Sequence, residues 1–250
     1  MQLQLDDCEI EYDYAALDNE LPPVLFLHGA LGVRAQFDGL RALFAERSQL
    51  TLDFPSHGRS RATRTSLSCE QLARDVLALL DALAIERVDV LGHSMGGYVA
   101  LVLAHLAPSR VRSIVTLGTK FYWTGEVIAA SAKGLDASTL KSRSQRFHDA
   151  LAATHSACGA DEMLRLTQSL IADFARWQLS EEMVRASDVP VLISAGDRDD
   201  LVPAAEVGAL YRALDPKRSA MAILPATQHA LQQLPIECFA PLVRRFWNSL

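Results

Sequence analysis

The sequence predicts an α/β fold: a mostly parallel central sheet flanked by helices, with an inserted helical cap. Three observations predict it. Short apolar runs alternate with stretches of helical periodicity along most of the chain. Several of those runs are apolar almost throughout, as strands buried on both faces must be. The alternation breaks once, from about 119 to 188, where the pattern is helical with no obvious strand, and seventy residues is too many for an ordinary loop.

In chain order, strands are predicted at 9–15, 23–27, 49–52, 87–91, 111–117, 191–195 and 220–224. Between the third and fourth, Leu72, Val76, Leu79, Leu80 and Leu83 recur at helical offsets and draw one apolar face. "SCEQ" at 68–71 has capping-box spacing for the start of that helix. With 250 residues, half of them apolar, the chain can bury one large core. The predicted organisation is therefore a core domain made of 1–118 and 189–250, interrupted by a helical cap at 119–188 that lies over one edge of the sheet.

Charge and cysteine usage narrow the function. Twenty-four basic and thirty acidic side chains give a net charge of −6, and no basic stripe suited to phosphates is present, which speaks against nucleic acid. The opening "MQLQLDDCEIEYDY" turns acidic within six residues, and no apolar run approaches the ~18 residues a membrane span needs. A soluble cytoplasmic protein without membrane partner is expected. Cys8, Cys69, Cys158 and Cys238 are scattered, with no C-x-x-C pair, so reduced thiols and no cysteine-based metal site are expected. Oligomeric state is not legible.

The chemistry-bearing stretch is "VDVLGHSMGGYVALVLAHL", 88–106. Gly92-His93-Ser94-Met95-Gly96 matches G-x-S-x-G, between a strand pattern and a helix pattern. A serine at so sharp a turn is held in a strained backbone conformation that projects its hydroxyl, and the flanking glycines are small because strand and helix pass too close for a Cβ. The same turn puts the Met95 N–H at a helix N-terminus, where developing negative charge is favoured. The competing reading is a chance motif in an ordinary tight turn.

A serine hydroxyl needs a base, and the base an acid to orient it. "VLISAGDRDDLVP" is a strand running into a turn with Asp197, Asp199 and Asp200, and "AILPATQHALQQLP" is a strand running into a loop with His229. Singly, each is as well explained as a cap or a surface residue. Together, after successive strands and in the order Ser, Asp, His, they read as a triad.

At this point the chain resembles the α/β-hydrolase superfamily, as a serine hydrolase with a helical cap. The resemblance rests on the ordered set "HGAL", "DFPSHGRS", "GHSMGG", "GDRDDLVP" and "QHALQQLP" and covers nearly the whole chain. It implies an α/β-hydrolase fold, with Ser94, Asp199 and His229 catalytic and Asp197 and Asp200 in reserve as the acid. It implies an oxyanion hole formed by the backbone N–H groups of Ala30 and Met95, with Leu31 as the alternative donor to Ala30. His28 is then structural, and His57 and Asp53 belong to loop architecture. The family commonly has Gly-His where this chain has Gln228-His229, and a glycine where it has Ser56. His93 receives no proton-transfer role, and His105, His148 and His155 are expected at the surface.

The expected activity is cleavage of a small carboxylic ester through an acyl-enzyme, with no cofactor and no metal. The partner is a small-molecule ester or related acyl substrate. Leu31, Phe121, Trp123 and Trp177 are expected to line the pocket. A lactonase is one alternative on the same triad. A carbon-carbon bond hydrolase is another, and would need a cap arginine (Arg143, Arg146, Arg165 or Arg176) for a substrate carboxylate. A ligand receptor that has lost its chemistry would show a broken triad.

Overall fold

A computed structural model describes all 250 residues. Nine strands form one sheet: β1 Gln2–Gln4, β2 Cys8–Ala15, β3 Val24–Leu27, β4 Gln49–Leu52, β5 Arg61–Ala62, β6 Val88–His93, β7 Val111–Leu117, β8 Val191–Gly196 and β9 Ala220–Leu224. Their order is β1-β2-β4-β3-β6-β7-β8-β9, with β5 beside β2. From β4 through β9 every pairing is parallel, while β2 runs antiparallel to its neighbours. Every residue of β3, β4, β6 and β8 is buried, because helices cover both faces. The two strands the sequence did not declare, β1 and β5, are three and two residues long, at the outer edge.

The core helices are α1 Asp38–Ala42, α2 Cys69–Ala82, α3 Met95–Leu106, α9 Ala204–Ala213 and α10 Ile236–Trp247. Helix α2 begins where the capping signal placed it, with Ser68 Oγ accepting the Gln71 N–H at 3.1 Å. Leu72, Val76, Leu79 and Leu80 then turn inward and are fully buried. One large apolar cluster carries α2 and α3 against one face of the sheet; a second holds Phe37, Phe44 and α10 against the other.

Between β7 and β8 the chain forms five further helices and no strand: α4 Gly125–Gly134, α5 Ala137–Arg143, α6 Gln145–Thr154, α7 Ala160–Asp173 and α8 Glu181–Ala186. Thr124, Asp136, Ser144 and Ser180 cap four of them by accepting the N–H three residues on. This insertion is tied to the core at its base, where the Tyr98 hydroxyl on α3 accepts the Leu179 N–H at 2.8 Å. No helix is long and apolar enough to cross a membrane.

Two of the histidines expected at the surface are buried. His155 has no exposure at all and His148 very little. An imidazole tolerates burial when its nitrogens are partnered. His148 Nε2 meets Asp161 Oδ1 at 2.6 Å, and both His155 nitrogens are bonded to core loops. His105 is half-buried on α3.

Candidate active site

The site assembles where the carboxyl ends of the parallel strands meet the helical insertion. Ser94 stands between β6 and α3 with φ 52° and ψ −117°, a conformation strained for any residue but glycine. Its N–H donates to the Leu117 carbonyl at 2.8 Å, so the neighbouring strand holds the turn. Thr119 Oγ1 donates to the Ser94 carbonyl at 3.1 Å. The turn closes only because two neighbours lack a Cβ. One at Gly92 would lie 2.5 Å from the Gly96 carbonyl carbon, and one at Gly96 would strike the Leu27 and His28 carbonyls.

His229 Nε2 lies 3.1 Å from Ser94 Oγ, and His229 Nδ1 lies 2.8 Å from Asp199 Oδ2. The three side chains thus form one continuous relay. Asp199 is buried at its carboxylate, whose other oxygen accepts the N–H groups of Leu201 and Val202 at 2.9 and 2.8 Å. Burial pulls its pKa up, but the His229 hydrogen bond and charge, with the two backbone donors, outweigh it and hold the carboxyl below its ordinary 3.8. Because an ionised carboxylate only accepts, the proton between the pair sits on His229 Nδ1, which leaves Nε2 facing the serine as the acceptor.

The other two acids of the turn lie elsewhere. Asp197 Oδ1 accepts the Thr227 N–H at 3.2 Å and so braces the loop that carries His229. Asp200 is exposed at the cavity rim. Position 228 does not need glycine, because the left-handed residue of that loop is Ala226, at φ 54°. Ser56, by contrast, has φ 63°, which explains why glycine is common there.

Ala30 and Met95 line the same cavity as Ser94 and His229, and neither backbone N–H donates to any protein acceptor. Gly29 lies so close to Ser94 that a Cβ on it would come within 3.1 Å of Ser94 Cβ. The Gly29–Ala30 peptide is fixed from behind: His28 Nδ1 donates to the Gly29 carbonyl at 2.7 Å while His28 Nε2 accepts the Phe54 N–H at 2.9 Å. Burial pushes His28 down to about 3, so the ring stays neutral with one donor and one acceptor, as those partners require. His93 donates through Nε2 to the His229 carbonyl at 2.9 Å and is pushed down to about 4, mainly by burial. It thereby holds the His229 backbone, while Asp199 holds the ring. The His93 contact has no sequence signal beyond the position of His93 in the motif, and the Thr119 contact to the Ser94 carbonyl has none at all.

The cavity has a volume of about 400 Å³ and mostly apolar walls. Of the four residues expected to line it, Trp123 does so, stacked on Phe174 at 4.3 Å between ring centres. Leu31, Phe121 and Trp177 do not. Phe121 is buried against the rings of Tyr98 and Tyr122, its N–H taken by Glu206. Leu31 packs against a small cluster of Leu151, Ala160, Met163 and Leu164, and Trp177 packs against the main core. Leu170 and Ile171 on α7, with Leu201, Val202 and Pro203 of the acid turn, take their places. Their signals were the apolar stripe of α7 and the V-P that follows the acid.

A parallel sheet with a serine on the strand-to-helix turn, joined to a histidine and a buried carboxylate after the last two strands, defines an α/β hydrolase. The chain belongs to the α/β-hydrolase superfamily. The family model described as the alpha/beta hydrolase fold matches residues 22–138. A dihydrolipoyllysine-residue acetyltransferase component of the acetoin cleaving system of Pseudomonas putida is 31% identical over 229 residues, covering 84% of this chain. This chain spans only 59% of that relative's length. Among solved structures, an enol-lactonase from Burkholderia xenovorans LB400 superposes with a TM-score of 0.81 at 19% identity, covering 99% of this chain and 100% of its own. A thermophilic esterase from Thermogutta terrifontis gives a TM-score of 0.79 at 18% identity, covering 100% and 98%.

Proposed function

We propose that this protein is a serine hydrolase that cleaves a small carboxylic ester through an acyl-enzyme. The observation that carries the reading is the unbroken relay from Ser94 Oγ through His229 to Asp199, opening on an apolar cavity. His229 Nε2 takes the hydroxyl proton as Ser94 attacks the ester carbonyl, and the resulting oxyanion is held by the Ala30 and Met95 N–H groups. The protonated His229 then gives its proton to the departing alkoxide, leaving an acyl-serine and a free alcohol. Water, deprotonated by His229, attacks the acyl carbon; collapse releases the carboxylic acid and restores the Ser94 hydroxyl. No cofactor enters either half.

The helical insertion serves as the cap. Trp123, Leu170, Ile171 and Phe174 form its side of the cavity, where they exclude water and receive the acyl chain. At roughly 30 Å³ per small group, about 400 Å³ admits short to medium acyl chains. A carbon-carbon bond hydrolase is disfavoured by the absence of a carboxylate anchor: none of Arg143, Arg146, Arg165 and Arg176 lines the cavity, and its one cation, Lys120, is paired with Glu206 at 2.8 Å. A lactone is an internal ester and would follow the same steps.

The test is turnover of p-nitrophenyl acetate, butyrate and octanoate, with Ser94→Ala as control. At least ~10³-fold loss in a folded alanine variant is expected, since only binding and the oxyanion hole remain. Unchanged turnover refutes the reading. Adding dihydrolipoamide as acceptor separates hydrolysis from acyl transfer, the activity in the name of the Pseudomonas putida relative.

A further inference from the structure

Among the places where the helical insertion meets the core is one short segment, 155–158, whose hydrogen bonds to the core all fall on backbone bends. His155 Nε2 meets the Leu31 carbonyl at 3.2 Å, and His155 Nδ1 accepts the Gly58 N–H at 2.9 Å. The Ala157 N–H reaches the Gly58 carbonyl at 3.4 Å, and Cys158 Sγ the Ser56 carbonyl at 3.1 Å. Leu31, Ser56 and Gly58 are the three residues of these two loops with positive φ, at 60°, 63° and 54°. Two of them are not glycine. A left-handed leucine or serine persists only where its surroundings hold it, and here the holding group comes from a different part of the chain.

Leu31 adjoins Ala30, whose N–H faces the reacting centre under the hydrolase reading. The Gly29 carbonyl on one side of Ala30 is held by His28 from the core. The Leu31 carbonyl on the other side is held by His155 from the insertion, and the Leu31 side chain packs on the insertion's own small cluster. Released, Leu31 would relax to negative φ and turn the adjoining peptide.

We propose that His155 is a positioning residue for the oxyanion hole: seating of the helical insertion fixes the Leu31 side of Ala30, as His28 fixes the Gly29 side, and both are needed to aim the Ala30 N–H. This rests on the ester-hydrolase reading and extends it: a contact that the insertion makes outside the cavity completes the electrostatics of the reaction. The neutral ring fits both partners at once, Nδ1 accepting and Nε2–H donating, and nothing else in the insertion holds the Leu31 carbonyl.

Four variants test it, with kcat and KM on p-nitrophenyl butyrate, the Ki of a trifluoromethyl ketone that forms an oxyanion-like adduct, and thermal midpoints. His155→Leu removes both bonds and should lower kcat about 10- to 100-fold with KM within about 3-fold, less than deletion of a donor because Ala30 is displaced and not lost. The ketone should weaken by a similar factor. His155→Gln, whose amide N–H can still reach the Leu31 carbonyl, should stay within about 3-fold of the parent, whereas His155→Asn should resemble the leucine variant. Adding Leu31→Gly to His155→Leu should recover kcat by about 5-fold or more, because glycine holds positive φ without a brace. Unchanged kcat and ketone affinity in His155→Leu, whatever its thermal midpoint, overturns the inference. So does a rise in KM alone, or failure of both the glutamine and the glycine rescue. If the parent protein hydrolyses no ester, the hydrolase reading itself falls and takes this one with it.

Discussion

Replacing Asp199 by asparagine should disable the base without disturbing the fold, and the reason lies in what holds the carboxylate. Its Oδ1 accepts two backbone N–H groups, from Leu201 and Val202, while Oδ2 faces His229 Nδ1. An asparagine must aim its single oxygen at the two backbone donors, which leaves its NH₂ against Nδ1. Nδ1 then becomes the acceptor, the ring proton moves to Nε2, and the face toward Ser94 can no longer take a proton. Turning the amide over would restore the tautomer but leave two N–H groups facing an NH₂. At about 1–3 kcal/mol for each unsatisfied donor, that orientation lies about 2–6 kcal/mol higher and is populated from a few per cent down to about 10⁻⁴. We therefore expect kcat on p-nitrophenyl butyrate at pH 8 to fall by between about 30-fold and about 10⁴-fold, with circular dichroism unchanged. Asp197→Asn should cost little, because an amide oxygen still accepts the Thr227 N–H. An Asp199→Asn enzyme within about 5-fold of the parent would refute the tautomer argument, and a larger loss in Asp197→Asn would transfer the role to the other acid.

Trp123→Ala should change the ratio of kcat/KM between octanoate and acetate esters by about ten-fold or more, since a well-packed aromatic contact is worth roughly 1–3 kcal/mol. Trp177→Ala, whose ring is outside the cavity, should leave that ratio alone; equal shifts in both would mean that the rings act through cap stability. Stability should fall on acidification below pH 6.5. Burial holds His28 at about 3 and His93 at about 4, against 6.5 for a free imidazole, so below 6.5 the unfolded chain binds protons that the folded chain refuses. Each contributes up to about 1.4 kcal/mol per pH unit in that window and nothing above it. Urea midpoints compared at pH 7.5 and 5.5 read this directly, and a midpoint flat across that interval would mean that these rings are not held neutral.

Much of this architecture is written locally. The parallel strands declare themselves because burial on both faces makes "PVLFL" or "VLISA" apolar at nearly every position. The Ser94 turn declares itself because two glycines and a serine meet a steric demand within five residues. The short edge strands β1 and β5 carry no such pattern, since a two- or three-residue edge has no face to bury. His155 is buried and not at the surface because its partners, which a helical stretch does not reveal, lie 97 and 124 residues away. Pocket lining is illegible in the sequence for the same reason. Phe121 and Trp177 have the right chemistry, but whether an aromatic faces a cavity or a neighbouring ring is decided by packing between segments remote in sequence.

The nucleophile itself is open to a single measurement: the intact protein treated with a fluorophosphonate, then weighed and mapped by mass spectrometry. Attack by an activated Ser94 predicts one adduct per chain, on Ser94 and on no other serine, absent from Ser94→Ala and slowed in Asp199→Asn. No adduct on the folded parent protein, or an adduct on another residue that survives Ser94→Ala, would contradict it.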